Sequence, residues 1–236
     1  MTDQTTAHPK LDYDAWARTV PADNLWAQVR RTVGGRPVPE SDIDLIVDTI
    51  VGQLALSRDD AVLDLACGNG ALASRFFSRC RTYLGSDLSP YLIGIAQARF
   101  ADAHGQRTFK VAGAAHHVCS EPDPVHFTKA LCYGSFAYFT QDEAASILAA
   151  MFARFTNVTR FFIGNLPDLD RAALFYGNEL PSAAELSDPQ SRIGIWRTRD
   201  TFAQLAEAAG WQVAFSTMPA GFFAAHYRYD ALLQRP

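Results

Sequence analysis

Short apolar runs alternating with helical patterns constrain this chain more than any other feature. The runs are AVLDLA (61–66), TYLGSD (82–87), RTFKVAG (107–113), the stretch 126–132 and TRFFIGN (159–165). After the first, Leu72, Ala73, Phe76 and Phe77 fall on one side of a helix. After the second, Ser89-Pro90 reads as an N-cap with proline at the first helical position. After the fourth, Thr140 and Glu143 form a capping box ahead of Ile147, Leu148, Met151, Phe152 and Phe155. This alternation implies an open parallel sheet covered by helices on both faces. The end of the chain departs from it. A helix over 200–209, with Phe202, Leu205 and Ala206 inward, stops at Gly210. WQVAFST (211–217) and the stretch 225–233 then follow with no helix between them, so they pair antiparallel. The expected fold is α/β, a seven-stranded and mostly parallel sheet.

Ahead of the sheet, residues 1–10 read as a flexible tail. The stretch 11–36 carries Tyr13, Trp16, Leu25, Trp26 and Val29 and reads as short helices lying on another surface. Pro37 and Pro39 interrupt it. Ser41 then opens a helix whose Ile43, Ile46, Val47, Ile50, Val51 and Leu54 make one apolar stripe. With 236 residues and 48% hydrophobic content, one domain over 11–236 is expected. It has an N-terminal cap over 11–40 and an irregular, substrate-side insertion over 166–198. Twenty-five acidic against 21 basic side chains leave a net charge of −4. That balance, without a long basic run, disfavours nucleic acid as partner. No apolar run approaches the ~18 residues of a membrane span, and the first ten residues carry no signal pattern. A cytoplasmic protein without membrane contact is expected. Cys67, Cys80, Cys119 and Cys132 form no CxxC pair, so no disulfide framework or metal site is expected.

The segment VLDLACGNGALA (62–73) carries the chemistry. A strand leading through Gly68-x-Gly70 into a helix lets the backbone approach a ligand and aims free N–H groups at it. Gly68-x-Gly70-x-x-Ala73 also passes as a loose dinucleotide fingerprint. Asp64 separates the two readings, because a carboxylate there repels a pyrophosphate and attracts an ammonium or sulfonium. Asp87, at the end of the second strand, is placed to accept both hydroxyls of a ribose.

These residues resemble the class I S-adenosylmethionine-dependent methyltransferases of the small-molecule type. The match to the first motif is V-L-D-L-A-C-G-N-G at 62–70, with Ala66 where many members have glycine; the second is Y-L-G-S-D-L-S at 83–89. The resemblance implies a Rossmann-like sheet of order 3-2-1-4-5-7-6 with the last strand antiparallel. It implies that S-adenosylmethionine binds and leaves as S-adenosylhomocysteine. Asp64 and the backbone of Ala66, Cys67, Gly68, Asn69 and Gly70 would face the methionine moiety, Asp87 the ribose and Leu88 the adenine. Where the family often carries an acid after the third strand, this chain has Ala112-Gly113-Ala114-Ala115, so backbone groups would serve at Ala114 and Ala115. Cys132 and Tyr133, ending the fourth strand, would also lie beside the cofactor. Tyr13 and Trp16 resemble an N-terminal aromatic element that covers it. An Asn/Asp-Pro-Pro-Tyr/Phe motif is absent after the fourth strand, which counts against amide or nucleobase amine methylation.

The resemblance implies in-line methyl transfer to a small-molecule acceptor, at a hydroxyl in preference to an amine, as in a sugar or a phenolic or polyketide-like metabolite. The enzyme chiefly aligns the reactants and excludes water. A hydroxyl acceptor needs deprotonation, and His117, His116 and His226 are the candidate bases. Phe136 and Tyr138 after the fourth strand, with Tyr176, Trp196, Arg197 and Phe222, are candidate substrate walls. The alternatives are a small-molecule N-methyltransferase, an aminopropyl transferase using the decarboxylated cofactor, a nicotinamide oxidoreductase, and a non-catalytic partner subunit.

Overall fold

In the computed structural model of the chain, residues 12–33 and 35–236 are described. The expected tail over 1–10 lies outside the described residues. Two short helices come first, α1 (Tyr13–Thr19) and α2 (Leu25–Gln28). A two-residue antiparallel ladder between Thr32–Val33 and Arg36–Pro37 follows. Then comes α3 (Glu40–Leu54), which starts at Glu40 behind Pro39 with no side-chain cap, so Ser41 lies inside its first turn.

The main sheet has seven strands: β1 (Ala61–Leu65), β2 (Thr82–Asp87), β3 (Arg107–Val111), β4 (Lys129–Tyr133), β5 (Arg160–Pro167), β6 (Gln212–Ser216) and β7 (Arg228–Gln234). Their order is 3-2-1-4-5-7-6. The first five run parallel. β7 is antiparallel to both β5 and β6, as expected for two strands joined without a crossover helix.

Alternation along the buried strands feeds two cores. Val62, Tyr83, Leu131 and Phe162 face α3 and the 172–196 region. Leu63, Leu65, Ala130, Phe161 and Ala231 face α6 (Ala114–Ser120), α7 (Gln141–Arg154) and α10 (Arg199–Ala208). The Thr140–Glu143 capping box forms as read, as does the Ser89 cap with Pro90 opening α5 (Pro90–Phe100). Gly210 follows α10 at φ +99°. Two features differ from the sequence reading. The helix after the glycine turn is a single turn, α4 (Ala71–Ser74), followed by a 3-10 turn. The 166–198 stretch is partly ordered, with β5 running to Pro167 and short helices α8 (Ala172–Tyr176) and α9 (Ala183–Leu186).

Candidate cofactor and acceptor site

The strand order reverses beside β1, where β2 and β4 diverge, and a crevice opens outside the carboxyl ends of the strands. A cavity of about 690 Å³ fills it, within the usual range of roughly 300–1,000 Å³ for ligand pockets. Its floor is the turn 66–70. Ala66, Gly68 and Gly70 all hold positive φ, between 60° and 75°. A Cβ at Gly68 would stand 2.8 Å from Val29 Cγ1, so glycine lets the N-terminal segment close directly on the turn.

Asp64 ends up buried on the cavity wall, and Tyr83 donates a hydrogen bond to its Oδ2 at 2.8 Å. Burial raises its carboxyl to about 7, with Tyr83 and the Arg31 guanidinium pulling the other way. Asp87 accepts the N–H of Gly68 on Oδ2 and that of Ser89 on Oδ1, both at 2.9 Å. Burial raises its carboxyl as well, against those backbone donors. Each Asp87 oxygen keeps a lone pair for a ligand hydroxyl. Leu88, 74% exposed, offers an apolar platform beside Ala114 and Ala115.

Arg31 escaped the sequence reading. It is the only arginine or lysine on the cavity wall among the described residues. Its backbone is clamped on both sides, N–H to Trp26 O and O from Val38 N–H. Its guanidinium lies 5.2 Å over the Tyr133 ring, and its buried Nε has no hydrogen-bond partner among the described residues. The basic pair Arg30-Arg31 ahead of two glycines in the sequence was the available signal. Its direction depends on how the ladder folds back.

The other expected residues divide. Tyr13, Cys67, Asn69, Tyr133 and Tyr138 line the cavity. Asn69 also ties the turn to the cap, its Nδ2 donating to Leu25 O and Gln28 Oε1. Tyr13 meets Tyr138 edge-on, ring centroids 6.2 Å apart, and Tyr138 donates to Arg192 O.

Several expectations are corrected by position. Trp16 does not reach the cavity wall; its indole N–H donates to Ala27 O, joining α1 to α2. Gly70 and Cys132 lie behind the wall, Cys132 within the core on the α7 side. Phe136 packs among Phe139 and Phe202 in that same core. Trp196 and Phe222 are buried in the opposite core, and Tyr176 packs on Trp196. Arg197 is buried and donates to Gln141 Oε1. Phe139, Glu143 and Gln190 stand on the wall in their place.

The histidines also separate. His116 lines the cavity and is exposed. His117, one residue on, points roughly 100° away around α6. It is fully buried with Nε2 2.8 Å from Glu121 Oε2, and burial lowers its pKa. His226 is exposed beside Tyr227, away from the cavity wall. Among the described residues no cluster of His, Cys, Asp and Glu fits a metal ion. No helix there is long and apolar enough to cross a membrane.

Comparison with known proteins bears on the fold that carries this cavity. Residues 62–156, less than half of the chain, match the methyltransferase domain family. A 57-residue stretch is 39% identical to the uncharacterized methyltransferase C70.08c of Schizosaccharomyces pombe, covering 24% of this chain and 22% of that protein. The chain thus matches about a fifth of that relative's length. Among solved structures, magnesium protoporphyrin IX methyltransferase of Synechocystis PCC 6803, with SAH bound, superposes at a TM-score of 0.63 and 16% identity. The match covers 93% of this chain and all of that one. A putative methyltransferase in complex with the Trm112 activator of Haloferax volcanii gives 0.65 and 14%, covering 95% and 98%. Residues 62–156 are thus similar to a methyltransferase domain, and the chain carrying them has the fold of the class I S-adenosylmethionine-dependent methyltransferases.

Proposed function

We propose that this chain transfers a methyl group from S-adenosylmethionine to the hydroxyl oxygen of a small-molecule acceptor, a sugar or a phenolic or polyketide-like metabolite. The observation carrying the reading is the charge pattern of one cavity. A buried carboxylate, Asp64, and a half-buried one, Asp87, stand near the ends of adjacent strands, and Arg31, whose Nε has no partner among the described residues, shares their cavity wall. That donor set fits the cofactor. Asp64 suits its ammonium, Arg31 Nε its carboxylate, Asp87 the ribose hydroxyls, and Leu88 one face of the adenine. A carboxylate-seeking Arg31 also disfavours the decarboxylated cofactor of an aminopropyl transferase. A pyrophosphate would meet Asp64, which speaks against a dinucleotide.

The bound cofactor supplies a methyl group already activated by its sulfonium. The protein's part is alignment and exclusion of water. The cap closes the cavity from above through Tyr13 and Val29, and Tyr138, held by the Arg192 carbonyl, walls the acceptor side. Of the three candidate histidines, only His116 stands where it could meet an acceptor.

Calorimetric titration with S-adenosylmethionine, S-adenosylhomocysteine and NADH tests the reading. Saturable binding of the two sulfur nucleosides alone is expected, weakened at least about tenfold by Asp87→Ala, which removes a bidentate charged acceptor. Binding of neither, with the protein folded, would give the lead to a partner-subunit role. Binding of NADH would overturn the cofactor.

A further inference from the structure

Two unmatched polar atoms lie on β4 and β7, the two strands that flank the end of β5. Tyr133 closes β4 and lines the cavity, and its hydroxyl is buried without a hydrogen-bond partner among the described residues. Its ring lies across β5 at Gly164, its register partner; a Cβ there would come within 2.4 Å of the ring. Glycine at 164 is therefore what lets the side chain cross β5 toward β7.

Just beyond that crossing, the β5–β7 register slips between Ile163 and Leu166. Asn165 sits in the slip at φ +67°, a conformation costly for a residue with a side chain. Its N–H donates to Asp230 Oδ1 at 2.7 Å, and its carbonyl accepts from Arg228 Nη1. Asp230 Oδ1 is thereby committed, while Oδ2 is buried with no partner among the described residues. The Asp230 charge acts on Tyr133, and burial raises the Asp230 carboxyl to about 6. Buried polar atoms are nearly always paired, so two exceptions of matching kind, a donor whose ring lies on Gly164 and an acceptor whose carboxylate bonds Asn165, call for a common occupant.

We infer that Tyr133 and Asp230 bracket a subsite for a single hydroxyl group of the acceptor, reached from the cavity along the Tyr133 ring. The hydroxyl donates to Asp230 Oδ2 and accepts from Tyr133 O–H, so both unmatched atoms are satisfied at once. An ammonium is disfavoured there, because the guanidiniums of Arg31 and Arg228 both act on Tyr133. The groups facing Asp230 are Tyr133 from β4, the Asn165 N–H from β5, Arg228 on its own strand and its register partner Ser216 on β6. The inference rests on the methyl-transfer reading and names its proton acceptor. As the methyl carbon bonds to the acceptor oxygen, the carbon–sulfur bond breaks with its pair left on sulfur. The hydroxyl proton passes to Asp230 Oδ2, which becomes a neutral carboxyl.

Phenol is the probe, and anisole, which cannot donate, is its control. Both are titrated calorimetrically into protein saturated with S-adenosylhomocysteine. Phenol is expected to bind saturably, roughly tenfold more tightly than anisole. Its binding falls as pH drops below about 6 and Asp230 protonates. Tyr133→Phe and Asp230→Asn are each expected to bring phenol down to anisole. Because Asp230 is buried and its variant could misfold, Tyr133→Phe, which keeps the ring, carries the test alone if needed. Equal binding of phenol and anisole, no saturable phenol binding, or undiminished phenol binding by Tyr133→Phe overturns the subsite and leaves a buried water between the two atoms. Failure of S-adenosylhomocysteine itself to bind overturns the cofactor reading instead, and phenol is then titrated without it under the same criteria.

Discussion

Lowering the pH from 8 to 6 should weaken S-adenosylmethionine binding about tenfold through Asp64 alone. Its carboxyl is buried and raised to about 7, chiefly because desolvation penalises the charge. The ligand's ammonium is attracted only by the ionised form, so binding shifts Asp64 toward ionisation and releases a proton. The apparent Kd then scales as 1 + 10^(pKa − pH). That factor is roughly 1.1 at pH 8, about 2 at pH 7 and about 11 at pH 6, worth about 1.4 kcal/mol over the range. Calorimetry at these pH values, in two buffers of different ionisation enthalpy, should show release of about half a proton per site at pH 7.

Two controls isolate the residue. 5′-Methylthioadenosine lacks the amino-acid end and should bind with no such slope. Asp64→Asn should bind S-adenosylmethionine at pH 8 roughly 10- to 100-fold more weakly than the parent, as loss of a charged hydrogen bond predicts, and with a flat pH profile. The same shift carries a stability signature of definite sign. A carboxyl raised in the folded state binds more protons than in the unfolded one, so the free protein loses stability as pH rises from about 4 to about 7. An unchanged Kd from pH 6 to 8, or an equal slope for 5′-methylthioadenosine, would refute the placement of the ammonium on Asp64.

Two further outcomes follow from the cavity walls. Arg31→Met should weaken S-adenosylhomocysteine by roughly 10- to 100-fold in calorimetry and leave 5′-methylthioadenosine unaffected, since only the former carries a carboxylate; equal losses would mean that Arg31 merely supports the cap. Asn69→Ala removes two donors and strands Leu25 O and Gln28 Oε1. At about 2 kcal/mol, thermal unfolding should come roughly 4–8 °C earlier, and an unshifted Tm would show that the cap is not anchored there.

The mostly parallel sheet, the antiparallel pairing of the last two strands and the two acids were legible in local pattern, from alternation, a glycine turn and strand ends, whereas the strand order followed only from the family resemblance. What failed was direction. Adjacent His116 and His117 could not be told apart without α6, whose turn sends one ring to the cavity and the other to Glu121 four residues on. Phe136 follows a strand end and Trp196 and Phe222 lie in long connections, where a substrate wall can sit, yet their side chains turn into the two cores. Trp16 lies in α1, but its N–H is spent on Ala27 O. Asp230 offered no signal, since one acid in a final strand becomes unusual only when a bulge 65 residues earlier leaves one of its oxygens unmatched.

The N-terminal segment and Asp87 share one chain of hydrogen bonds. Asp87 Oδ1 accepts the Ser89 N–H, and Ser89 Oγ donates to Asp14 Oδ1 at 2.6 Å. The same Asp14 oxygen accepts the Tyr91 N–H, so α1 serves as a second cap for α5. These bonds hold the Asp14 carboxyl low, at about 2. On the other side of the turn, Asn69 grips α2, and Val29 fills the space that Gly68 leaves open. The sheet alone would provide a crevice open to water. What encloses it is a segment of under thirty described residues with two polar anchors, Asn69 between Gly68 and Gly70, and Ser89, whose N–H donates to Asp87. The cover is thus anchored on the residues that neighbour the turn and Asp87, so contacts made by a ligand there would bear directly on the anchors of the cover.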